Sequence, residues 1–113
     1  MALYYDLPVY RDTYKLILKI FEVTQDFPKD YKYTLGQELK RDALQLVRSI
    51  YRANKSAQKK EHLDAFLDEF ELVKLELRLC VDLRVMSFKK QAELTVLMDS
   101  IGEQVTGWRN ASQ

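Results

Sequence analysis

His62 is the single histidine of the chain, next to Glu61 and two residues before Asp64. An acid–base or metal site on a helix needs partners at helical spacing, and these two acids do not form a recognisable ligand set, so His62 reads as a surface residue. Asp64, Asp68 and Glu71 follow at i, i+4 and i+7. A di-metal helix bundle would set Glu-x-x-His pairs facing inward, and the sequence holds none, so these acids read as a solvated face. Cys80 falls on an apolar stripe and reads as a small buried hydrophobe. As the single cysteine it also excludes an internal disulfide and a cysteine-based zinc site. Leu35-Gly36-Gln37 is too short for a phosphate-binding loop. The sequence therefore points to no enzyme, no cofactor and no metal.

The basic residues have more shape. Between Lys29 and Lys60 there are nine Lys and Arg against three acids, whereas the whole chain carries only +1. At 100° per residue Arg41, Arg48, Arg52, Lys55 and Lys59 fall together on one side of a helix, opposite Leu39, Ala43, Leu46 and Ile50. Arginine forks suit phosphate. Two readings stay open: the ordinary solvated face of a bundle helix, or a stripe that meets the phosphate backbone of RNA or DNA, or an acidic partner.

The elements that position these residues follow from periodicity and breaks. Pro8 suits the first turn of helix one, which runs to about Asp26 and is stopped by Phe27-Pro28. Residues 1–8 read as a loose arm. Tyr14, Ile17, Leu18, Phe21 and Thr24 make one stripe of helix one; Leu16, Ile20, Val23 and Phe27 make another on roughly the other side. Thr34-Leu35-Gly36-Gln37 reads as a capping box opening helix two, about Leu35 to Asn54. After a short polar linker, helix three runs from about Lys59 to Met86. Its core stripe is Leu63, Phe66, Leu67, Phe70, Val73, Leu77, Cys80 and Val81. A second stripe, Leu72, Leu75, Leu79, Leu83 and Met86, is separated from the first by Glu71, Arg78 and Asp82 on one flank and Glu69 and Glu76 on the other. Ser87 suits the N-cap of helix four, about Phe88 to Arg109, with Leu94, Leu97, Met98, Ile101, Val105 and Trp108 on one side. Asn110 to Gln113 should fray.

At 113 residues, with 47% apolar residues and only three Gly and two Pro, one domain over 1–113 with long helices is predicted. The fold class is all-α, an antiparallel up-down-up-down four-helix bundle. No signal peptide or membrane span is read, which makes cytoplasmic the default. Helices apolar on two faces need neighbours on two sides, so the second stripes of helices one and three predict a homo-oligomer.

Phe27-Pro28-Lys29, Thr34-Leu35-Gly36, Leu77-Arg78-Leu79 with Asp82-Leu83 and Met86-Ser87, and Ile101-Gly102 with Gly107-Trp108 together resemble the accessory variability determinant (Avd) proteins of diversity-generating retroelements. These belong to a wider group of small four-helix-bundle proteins, some encoded by intervening sequences in bacterial large-subunit ribosomal RNA genes. The similarity spans about Tyr14 to Trp108. It implies a ring of five bundles that does no chemistry itself, associates with the retroelement reverse transcriptase, binds nucleic acid through a basic surface, and serves the mutagenic copying of template RNA into cDNA. The intervening-sequence branch implies instead a partner-binding or structural module without nucleic acid.

Overall fold

Pro8 starts the first helix because its fixed φ suits the opening turn and its missing N–H has no intrahelical partner there. The computed structural model describes residues 3–112. Helix α1 spans Pro8–Gln25, a one-turn α2 spans Lys29–Lys32, and three long helices follow: α3 Leu35–Lys55, α4 Lys59–Asp82 and α5 Phe88–Ala111. The described residues contain no strand. The four long helices form an all-α bundle in which α3 and α5 each pack against both α1 and α4, leaving α1 and α4 diagonally opposed. Residues 56–58 join α3 to α4. That link spans at most ~14 Å, while α3 rises about 32 Å, so helices packed side by side across it must run antiparallel.

The core draws one stripe from each long helix. Leu16 and Ile20 of α1, Leu39, Leu46 and Ile50 of α3, Leu63, Phe66 and Val73 of α4, and Leu94, Ile101 and Val105 of α5 are all buried. Phe66 and Phe70 stack at 5.5 Å between ring centroids. Side chains of this size contribute ~1.5–3 kcal/mol each when taken out of water.

The breaks work as their chemistry requires. Phe27 is buried and Pro28 begins the one-turn α2, whose Lys29 and Asp30 stay exposed. A Cβ on Gly36 would stand 3.2 Å from the Tyr31 carbonyl oxygen and 3.4 Å from the Phe27 ring, so the start of α3 packs closely on this corner. Ser87 caps α5, its Oγ accepting the Lys90 N–H at 3.2 Å.

Four local features depart from the sequence reading. The capping box does not form: the Thr34 hydroxyl donates to the Asp30 carbonyl at 2.8 Å, which ties α2 to the corner instead. Within the arm, Tyr4–Asp6 make a 3-10 turn. There the Tyr4 ring meets Tyr5, Tyr10 and Tyr51 edge-on at 5.2–5.4 Å. Met1, Ala2 and Gln113 lie outside the described residues. At the far end α5 continues through Asn110 and Ala111.

The fourth departure is the end of α4. The helix stops at Asp82, and Arg84 takes a left-handed φ of 62°. The Val85 N–H reaches back to the Cys80 carbonyl at 2.9 Å and the Arg84 N–H to the Val81 carbonyl at 2.9 Å. This pair of bonds is a Schellman ending, with arginine where glycine is usual. The chain turns inward there, and Met86 is buried in the core. Met86 is therefore removed from the outer stripe predicted for it.

Candidate nucleic-acid and oligomer surfaces

The outer face of α3 carries the predicted cations, and the structure separates them. Arg48 and Arg52 are exposed, and among the described residues neither has an ion-pair partner. Lys55 is exposed beside Tyr51, its Nζ 4.5 Å from the ring centroid and 3.4 Å from the hydroxyl. Arg41 is exposed too, but its guanidinium is paired with Glu38 one turn earlier and lies 3.9 Å from Asp42.

Lys59 is a correction. α3 ends at Lys55, so Lys59 belongs to the next helix. Its Nζ donates to the carbonyls of Ala53, Asn54 and Ser56 at 2.9, 3.0 and 3.0 Å. The last carbonyls of a helix have no intrahelical donor, and an ammonium there also complements the negative end of the helix dipole. Lys59 closes the α3–α4 turn and is not free to meet phosphate. The stripe reduces to Arg48, Arg52 and Lys55, with Arg41 shared.

Aromatic rings flank it. Tyr51, Tyr5 and Tyr14 are about half exposed, around the partly buried Tyr4 and Tyr10. Such rings can stack on bases next to a cationic track.

Four of the five residues predicted to form an oligomer surface stand exposed on α4, all but Met86. Leu72, Leu75, Leu79 and Leu83 are 40%, 55%, 40% and 43% exposed. On α1, Tyr14, Leu18 and Phe21 are similarly open, with the Lys40 ammonium 5.4 Å from the Phe21 ring. Since α1 and α4 are diagonal in the bundle, these two apolar faces look to different sides.

The acids on α4 divide in a way the sequence does not reveal. Asp64 is half-buried and ion-paired with Arg109 of α5. Asp68 and Glu71 stay exposed. Glu76, placed by periodicity on the flank between stripes, is buried against Asp42 of α3, which is buried as well. Burial, then hydrogen bonding to Asp42, then the Asp42 charge push the Glu76 carboxyl up to about 8. Burial, followed by the nearby Asp42, also raises Glu69. The buried Cys80 thiol is driven up to about 11, mainly by burial and secondarily by Glu76, which keeps it a thiol and unreactive. The signal for the buried pair was available only jointly: Asp42 lies at the edge of the α3 core stripe and Glu76 at the edge of the α4 stripe, and the packing of one helix on the other brings the edges together.

What the described residues present is surface: exposed leucines on α4, an apolar patch on α1 and cations on α3. Among the described residues no helix is long and apolar enough to cross a membrane. No curated protein matches the chain. A family model described as bAvd-like matches residues 9–112, nearly the whole chain, and the protein belongs to that family.

Proposed function

We propose that this chain is a non-enzymatic accessory protein of a diversity-generating retroelement, an oligomeric scaffold that holds nucleic acid and the reverse transcriptase together during mutagenic copying. The observation that carries this reading is the pairing of two unpartnered apolar faces, on α1 and on α4, with a separate cationic face on α3. Two different faces on different sides of one subunit favour a heterologous contact, in which the α1 face of one copy meets the α4 face of the next. Repeated contacts of that kind close into a ring, and five copies is the number the family resemblance suggests. The ring repeats Arg48, Arg52 and Lys55 around its circumference, and linked weak sites raise apparent affinity without new contacts.

A second reading has its own support. Lys59 is committed to the α3 carbonyls and Arg41 is held by Glu38, so the free cationic stripe is short, on a chain with a formal charge of +1. These facts favour a partner-binding bundle of the intervening-sequence type, without nucleic acid.

Fluorescence anisotropy with labelled RNA and duplex DNA at about 50 and 200 mM salt separates the two. The scaffold reading expects binding at the lower salt that is indifferent to base sequence and falls steeply at the higher salt. Replacing Arg48 and Arg52 together by Gln should weaken it about tenfold or more, through the loss of phosphate contacts repeated around a ring. Lys59→Met should leave it unchanged. Absence of binding at the lower salt supports the second reading.

A further inference from the structure

The buried acids between α3 and α4 lack what buried acids require. Glu38, Asp42 and Glu76 each bring a carboxylate oxygen into one group, all within 4.8 Å of one another. Asp42 and Glu76 are 7% and 6% exposed, and Glu76 Oε1 is shut off from solvent with no hydrogen-bond partner. The polar groups facing it are acids: Asp42 and Glu38 from α3, and Glu69 from its own helix. Cys80 also lies against it on α4. The guanidinium of Arg41 reaches only the rim, 3.9 Å from Asp42, and is already engaged by Glu38. Buried charge without a counter-charge is costly, and two adjacent buried carboxylates compound that cost.

We propose that Glu38, Asp42 and Glu76 form a binding site for a hard divalent cation, of the Mg2+, Mn2+ or Ca2+ class, that ties α3 to α4. Three observations carry it. The donor set is oxygen only, which selects hard cations over zinc or copper. The spacing fits one ion: ligand oxygens at about 2.1–2.4 Å from a metal stand roughly 3.0–4.8 Å from each other. The ligands come from two helices, Glu38 and Asp42 one turn apart on α3 and Glu76 across from them on α4, and Glu38 is exposed, so one side is open for the ion to enter with its remaining waters.

The test is a Mn2+ titration of the purified chain at pH 8.5, free Mn2+ being read by electron paramagnetic resonance. One ion per chain should bind. Glu76→Gln should weaken it at least tenfold. Glu38→Gln changes an exposed side chain, leaves the fold intact by circular dichroism, and should also weaken it at least tenfold, whereas Glu69→Gln should change it by less than threefold. Absence of saturable binding below about 1 mM at pH 8.5, or binding untouched by Glu38→Gln or by Glu76→Gln, would each overturn the site.

Discussion

On α4, leucine and glutamate have exchanged their usual places. Leu72, Leu75, Leu79 and Leu83 are open to water on one side, while Glu76 is buried on the next, between the leucines and the core. An isolated bundle would reverse both. The exposed leucines mark apolar surface that a second subunit can cover, and the buried glutamate marks charge that a proton or a cation can neutralise. That contrast separates two kinds of residue on one helix: those that hold the monomer together and those that the proposed assembly and ion would engage.

The largest effect should come from the side that holds the monomer. Phe66→Ala removes a fully buried ring and should cost ~3–5 kcal/mol of unfolding free energy in urea melts. Leu75→Ala, on the half-exposed side, should cost the dissociated subunit less than about 1 kcal/mol. Equal losses at the two positions, measured under dissociating conditions, would erase the distinction between the faces.

Glu76 comes next. Its folded-state carboxyl titrates at about 8, above the ordinary value of 4.5, so folding takes up a proton between those values. Stability is full below about 4.5 and is lost as pH rises through about 8, with a slope of up to about 1.4 kcal/mol per pH unit. Melts in EDTA should show wild type weakening from pH 5 to 8.5, while Glu76→Gln stays flatter and is more stable at pH 8.5 by roughly 1–3 kcal/mol. A wild-type profile that rises across this range would mean the carboxylate is not buried as described.

The smallest effect concerns the corner that takes Met86 off the outer face. Arg84 holds a left-handed φ of 62° that glycine adopts without strain. Arg84→Gly should stabilise the chain by about 0.5–1 kcal/mol in the same melts, the relieved strain exceeding the added freedom of the unfolded chain. Destabilisation would show that the Arg84 side chain supports the corner.

Much of this was readable from residue order. Pro8, Phe27-Pro28 and Ser87 bounded the long helices because proline geometry and a serine cap act locally. The apolar stripes named the core because a 3.6-residue period is also local. What escaped was set by the meeting of elements. Lys59 follows the basic helix in sequence, yet the chain reversal sends its ammonium back onto the α3 carbonyls. Met86 continues the leucine period in sequence, yet the helix ends four residues before it. Thr34 has the spacing of a capping box, but the one-turn α2 offers its hydroxyl a nearer carbonyl. Asp42 and Glu76 each sit at the edge of a stripe, and neither helix alone reveals that the edges coincide.

Assembly through the exposed leucines is tested most directly by mass. Four leucines at about half exposure could contribute roughly 4 kcal/mol per subunit when covered, before the cost of association. Light scattering of the purified chain at micromolar concentration should give about five times the 13.4 kDa chain mass. The double variant Leu75→Glu, Leu79→Glu should give a single chain mass with its helical circular dichroism retained. A wild-type mass of 13.4 kDa, or an assembly that survives both glutamates, would contradict the account.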